Sequence, residues 1–133
     1  ITRTTYELLN YAPSERIEIG NAMIARDQVI YREMEPRLLR KAFRDTIYLA
    51  GFVSRELTNE FSKHLLAKYP EVGFVICMQV NMEDGDLVCE LRSRKSGLLC
   101  VDVSEIAKEN GGGGHPSAAG FYRQIDVEPF ILK

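Results

Sequence analysis

Four consecutive glycines, Gly111 to Gly114, followed at once by His115-Pro116-Ser117-Ala118-Ala119-Gly120-Phe121, constrain this chain more than any other feature. Glycine in an ordered element costs roughly 0.5 to 1 kcal/mol relative to Ala, so an ordered run of this kind costs about 2 to 4 kcal/mol. A bare glycine run is a flexible tether. The flanks argue otherwise. Upstream, Asp102-Val103-Ser104-Glu105 has the spacing of a capping box, and the helix it opens is stopped by Asn110 and Gly111. Downstream, small apolar residues suit tight packing. The run is therefore expected to be ordered, with its amides turned inward as a concave anion site. His115, directly after it, can donate from either ring nitrogen to a phosphate oxygen, and a nearby phosphate favours its charged form.

The rest of the chain alternates strand and helix. Residues 3 to 43 read mainly as helix, with Tyr6, Leu8 and Leu9 in one segment and Met23 through Leu39 recurring at three- and four-residue steps, broken or kinked by Pro13 and Pro36. Ile47 to Val53 is a continuous apolar run expected to be a buried strand. Thr58 and Asn59 offer caps for a helix whose Phe61, Leu65 and Leu66 share a face. Val72 to Val80 is a second buried strand, and Asp84-Gly85 turns it back into Leu87 to Arg94. That strand alternates. Leu87, Cys89 and Leu91 take one face, and Glu90, Arg92 and Arg94 the other, so two arginines emerge together, with Lys95 following. Their planar donors suit bidentate phosphate contact. Leu98 to Val101 reads as a short extended segment, and Ser117 to Tyr122 as the last strand. This is an α/β pattern: a mixed sheet of four or five strands covered by helices, preceded by a helical lead-in. The expected division is residues 1–44 as lead-in and 45–133 as the sheet domain.

The balance of 17 Lys and Arg against 19 Asp and Glu, a formal charge of −2, excludes the uniformly basic surface of a protein that coats long DNA. Nucleic-acid contact is expected to be local, with short or mononucleotide-sized ligands. Cys77, Cys89 and Cys100 form an odd set without C-x-x-C spacing, each in an apolar, strand-like context, and read as buried thiols in a reducing cytoplasm. No apolar stretch approaches the ~20 residues of a membrane helix, and the N-terminus lacks signal-peptide design, so a cytoplasmic location is expected. Because Ile1 rather than Met opens the chain, a piece of something longer is expected too.

The strand Glu90-Leu91-Arg92-Ser93-Arg94, then Asp102 to Ala107, then Gly111-Gly112-Gly113-Gly114-His115-Pro116-Ser117-Ala118-Ala119-Gly120-Phe121, in this order and spacing, resembles the DHH-associated domain of the DHH phosphoesterase superfamily. The resemblance covers roughly residues 45 to 133. That superfamily includes nanoRNases, phosphodiesterases of linear or cyclic dinucleotides, single-strand exonucleases and enzymes of inorganic polyphosphate. The related domain of alanyl-tRNA synthetases usually lacks the His after its glycines, so Gly114-His115 favours the phosphoesterase branch. The resemblance implies that Arg92, Gly112, Gly113, Gly114 and His115 bind substrate phosphate, with Ser93 and Arg94 as further candidates. It implies no catalytic residue and no metal ligand in this chain. The family's manganese-type ions are held by an Asp-His-His string in another domain, and this sequence has only two histidines, neither beside an aspartate.

The function so implied is a nucleic-acid- or nucleotide-binding accessory domain that holds a short oligonucleotide, dinucleotide or other phosphorylated substrate for a hydrolase domain in cis. Two alternatives stand beside it. One is the C-terminal fragment of a complete metal-dependent phosphodiesterase or exonuclease. The other is a non-catalytic regulatory or homodimerisation domain.

Overall fold

A computed structural model describes residues 12–132. The chain divides into two compact units, Ile1–Arg37 and Leu38–Lys133. In the first, helix α1 (Pro13–Met34) begins on a proline, whose missing N–H and fixed φ suit a first turn. It ends before Pro36, which lies in a 3-10 turn at Glu35–Arg37. The two prolines bound the helix rather than break it. The expected segment at Tyr6, Leu8 and Leu9 lies outside the described residues.

The second unit runs β1 (Leu39–Phe43), β2 (Thr46–Phe52), α2 (Thr58–Lys68), β3 (Val72–Asn81), β4 (Asp86–Ser93), α3 (Val103–Glu109), β5 (Gly113–His115) and β6 (Ala118–Gln124). Its strands form one sheet in the order β1-β2-β3-β4-β6-β5; β2 and β3 are parallel and the other neighbours antiparallel. The α/β class is as the pattern predicts, with six strands in place of four or five.

Two strands account for the difference. Leu39–Phe43 is an edge strand and not the end of a helical lead-in, so the sheet unit begins at Leu38 and not at residue 45. Arg44 and Asp45 both take positive φ, 48° and 66°, as a two-residue hairpin loop between the paired Phe43 and Thr46 requires. The Arg44 guanidinium then reaches both oxygens of Glu109 at 2.8 and 2.6 Å, tying this hairpin to the end of α3. The other extra strand is β5, made from the glycine run itself. The expected extended segment at Leu98 to Val101 is a loop, with Leu99 at φ 60°.

Both faces of the sheet are covered. On one, Val103 and Ala107 of α3 enclose Phe74, Leu91 and Ala119, with Tyr48 stacked on Phe74 at 5.0 Å. Each such large apolar side chain contributes roughly 1.5 to 3 kcal/mol by leaving water. On the other face α2 packs on β3 and β4, burying Phe61, Leu65 and Leu66 and setting Ser62 Oγ 3.5 Å from Cys77 Sγ. Neither Thr58 nor Asn59 caps α2. Leu57 takes the N-cap position without a side-chain bond, and Thr58 Oγ1 donates instead to the Ser54 carbonyl. The start of α3 is as expected: Asp102 Oδ1 accepts from the Ser104 N–H at 3.0 Å.

Cys77 and Cys89 are buried, and burial pushes both thiols up. Cys100 is exposed, against expectation, because its segment is a surface loop. Among the described residues no helix is long and apolar enough to cross a membrane.

Candidate functional site

Strand register assembles the site. Arg92 pairs with Ala118, and Ala118 with His115, so Arg92, Ala118 and His115 form one cross-strand row on the face that carries α2. Only an alanine methyl separates the two basic side chains. Arg92 is held by two bonds: Nε donates to Asn59 Oδ1 at 2.9 Å, and Nη1 to the Leu91 carbonyl at 3.0 Å. One Nη1 hydrogen and both on Nη2 have no acceptor among the described residues, which leaves a fixed guanidinium with an open fork. His115, exposed on the edge strand, makes no side-chain hydrogen bond among the described residues.

Two cavities meet at Arg92 and Ala118. One, about 700 Å³, lies along α2 and is lined by Asn59, Ser62, Lys63, Lys95, Ser96 and Ser117. The other, about 460 Å³, lies over the glycine strand and is lined by Glu90, Gly111 to Gly114, Gly120 and Tyr122. The first has several cations and no carboxylate in its wall. Both sizes are those of ordinary ligand pockets.

The glycine run is ordered, but it is not the inward nest that the sequence suggests. The Gly111 N–H donates to Lys108 O at 3.1 Å and the Gly112 N–H to Ala107 O at 2.8 Å, closing α3 in a Schellman motif with Gly111 at φ 84°. Those two amides are spent. Gly112 matters instead through its missing side chain, because a Cβ there would lie 2.0 Å from the Gly120 carbonyl oxygen. Gly114 is equally constrained: φ is 144°, and a Cβ would sit 2.6 Å from Ala119 Cα. Gly113 differs, since a Cβ there would meet nothing within 4 Å. Close approach of β5 to β6 therefore explains two of the glycines, and the edge strand so formed has no strand partner on its outer side among the described residues.

Ser93 and Arg94 also line the 700 Å³ cavity beside Arg92, but their polar atoms are engaged by the main chain. Ser93 pairs in register beside Phe74, on the face opposite Arg92; it is buried, and its hydroxyl donates to Val101 O at 2.6 Å and Pro116 O at 3.2 Å. Arg94 shares the face of Arg92 but serves the backbone. Its Nη1 donates to Val72 O at 2.6 Å, and its Nη2 to Leu66 O at 2.6 Å and Tyr69 O at 3.0 Å, so it clasps the end of α2 to the start of β3.

Several wall residues carry no mark of a site in the sequence. Asn59 reads as a helix cap, yet it orients Arg92. Lys63 is one residue of a charged helix face until the fold sets it beside β4. Glu90 was visible through strand alternation, which puts it on the face of Arg92, but nothing local marked it as part of a pocket.

No protein-family model and no curated protein matches this sequence. Solved structures do resemble it. An uncharacterised protein from Helicobacter pylori G27 superposes with a TM-score of 0.51 at 18% identity, over 77% of this chain and 28% of its own. The pGpG-specific phosphodiesterase PggH from Vibrio cholerae gives a TM-score of 0.54 at 19% identity, over 90% of this chain and 40% of its own. The chain thus spans well under half the length of either protein, and at these identities the likeness shows a shared fold.

Proposed function

We propose that this chain is the phosphate- and nucleotide-gripping accessory domain of a DHH-type phosphoesterase, holding a short phosphorylated substrate for a metal-bearing catalytic domain elsewhere in the protein. The observation that carries the reading is Arg92: an immobilised guanidinium with an open fork, one alanine away from His115, at the meeting point of two cavities. The fold likeness to a longer phosphodiesterase supports it. Arg92 takes two phosphate oxygens through its planar donors, and His115 donates to a third. Ala118 and Gly113, between and beside them, keep the floor low enough for a phosphate to reach both.

The grip is weak by design. Three charge-assisted hydrogen bonds, two from Arg92 and one from His115, supply roughly 5 to 9 kcal/mol, whereas association costs an estimated 4 to 15 kcal/mol. Millimolar affinity or poorer follows for the chain by itself. In a two-domain enzyme the domain needs only to orient the part of the substrate that metal ions on the other side do not hold. Titration of the chain with a short oligoribonucleotide, followed by NMR shifts, tests the reading. Arg92→Ala should weaken binding about tenfold with little change in thermal midpoint. Equal affinities of the two proteins would return Arg92 to an ordinary solvated side chain. In parallel the chain should hydrolyse no labelled dinucleotide with manganese; turnover that survives repurification and disappears in His115→Ala would make it an enzyme instead.

A further inference from the structure

The cavity over the glycine strand is more than a phosphate rest. Moving one row along the sheet from Arg92, the register sets Glu90 opposite Gly120, and Gly120 opposite Gly113. Two of those three positions have no side chain, and the space above Gly113 is open. One row further, Val88 pairs with Tyr122, a residue that is 69% exposed and lines the same cavity. The result is a flat, side-chain-free shelf with an aromatic ring at one end, a guanidinium at the other and a carboxylate along its side.

That carboxylate is placed and largely unspent. Glu90 Oε2 accepts from Gln79 Nε2 at 3.3 Å, and the same amide nitrogen donates to the Val53 carbonyl at 2.9 Å, so Gln79 is itself anchored. Oε1 has no donor among the described residues. Glu90 and Arg92 stand two residues apart on one face of one strand, yet they form no ion pair. A carboxylate cannot serve a phosphate, which it repels. It is acceptor-only, and its fitting partner is a group with two adjacent N–H donors.

We propose that this shelf is a base-reading subsite selective for guanine, in which Glu90 accepts from N1–H and the N2 amine while the ring lies on the Gly113 and Gly120 floor beside Tyr122. Guanine alone among the common bases presents two neighbouring donors on that edge. Adenine and cytosine set a ring acceptor beside their amine, and uracil flanks its single N–H with two carbonyls, so each meets the carboxylate with at least one repulsive pair. Stacking on an aromatic ring is tolerant of base identity and supplies affinity rather than choice. The proposal rests on the phosphate-gripping reading only in that Arg92 takes the nucleotide's phosphate.

The test titrates the full chain with GMP, IMP, UMP and ribose 5-phosphate by NMR shift perturbation. GMP should bind about tenfold tighter than UMP, with IMP, which lacks the N2 amine, between them. Glu90→Gln, which turns an acceptor into a donor, should abolish that order while leaving ribose 5-phosphate unchanged. Tyr122→Ala, at an exposed position, should weaken GMP and UMP together and spare ribose 5-phosphate, which gives a second readout if Glu90→Gln folds poorly. Equal binding of GMP and UMP, or a preference that survives Glu90→Gln, would overturn the base subsite. Ribose 5-phosphate binding that is lost in Arg92→Ala reports on the phosphate grip separately, so each reading can fail while the other stands.

Discussion

Arg92 and Arg94 are two residues apart on one strand face, and the structure gives them opposite work, so replacing each by alanine should have opposite consequences. Arg94→Ala deletes the donor for three main-chain carbonyls, of Leu66, Tyr69 and Val72, at 2.6 to 3.0 Å. Hydrogen bonds from a charged group contribute roughly 1.5 to 3 kcal/mol each, which would sum to about 5 to 9 kcal/mol if all three carbonyls were left bare. They are not all stranded, because Arg94 lines the 700 Å³ cavity and water can enter beside it. Val72 and Leu66 are nevertheless buried. A net loss of about 2 to 4 kcal/mol follows, a large share of the 5 to 15 kcal/mol that holds a typical domain. At this domain size that lowers the thermal midpoint by roughly 10 to 25 °C. Arg94→Lys should fall between, since one ammonium cannot span three carbonyls. Arg92→Ala forfeits the exposed bond to Asn59 and the bond to the Leu91 carbonyl, about 1 to 1.5 kcal/mol together where water can take their place, and should shift the midpoint far less than Arg94→Ala. Urea titrations followed by circular dichroism measure all three, with an unchanged slope showing that the same surface is exposed on unfolding. If Arg94→Ala unfolds at the wild-type midpoint, or if Arg92→Ala is the more destabilised protein, the division of labour drawn from these hydrogen bonds is wrong.

Gly112→Ala and Gly114→Ala should each lower the urea midpoint or abolish folding, because their Cβ atoms would fall inside 3 Å of β6, whereas Gly113→Ala should fold normally and lose nucleotide binding by crowding the shelf. The Asp102 carboxyl is held below the usual range first by the Ser104 hydroxyl and then by main-chain N–H groups, and Arg44 and Arg40 do the same for Glu109 and Glu71. A depressed folded value means stability that is present above the unfolded value of about 4 and is lost as pH falls through the folded one, so the urea midpoint should drop between roughly pH 5 and pH 2, and less steeply in Asp102→Ala. Iodoacetamide should label exposed Cys100 promptly in the native protein and reach Cys77 and Cys89 only in denaturant, as mass spectrometry of the alkylated chain would show.

Elements whose signals are local could be read without the rest of the fold. Alternation along Leu87 to Arg94 fixes which side chains share a face, because the strand period is two whatever the neighbours are. Asp84-Gly85 and Asp102 to Glu105 mark a turn and a helix start through bonds made within a few residues, and both stand where they were read. The two missed strands are those whose identity depends on a partner. Leu39–Phe43 carries charged residues between its apolar ones and fits a helix or a strand equally, until hydrogen bonding to β2 decides. Gly113–His115 has no side-chain signal for a strand; its backbone groups need partners, and β6 supplies them. The same distinction runs through the site. Composition and spacing singled out Arg92, the glycines and His115, but whether a guanidinium is open to a ligand or spent on carbonyls depends on what lies 22 to 33 residues away. Asn59 leaves Arg92 with an open fork, while Leu66, Tyr69 and Val72 consume Arg94. Ser93, turned by parity to the face of α3, has its hydroxyl engaged by the Val101 and Pro116 carbonyls. Hydrogen-bond partners far along the chain are chosen by packing, and only the tertiary structure fixes them.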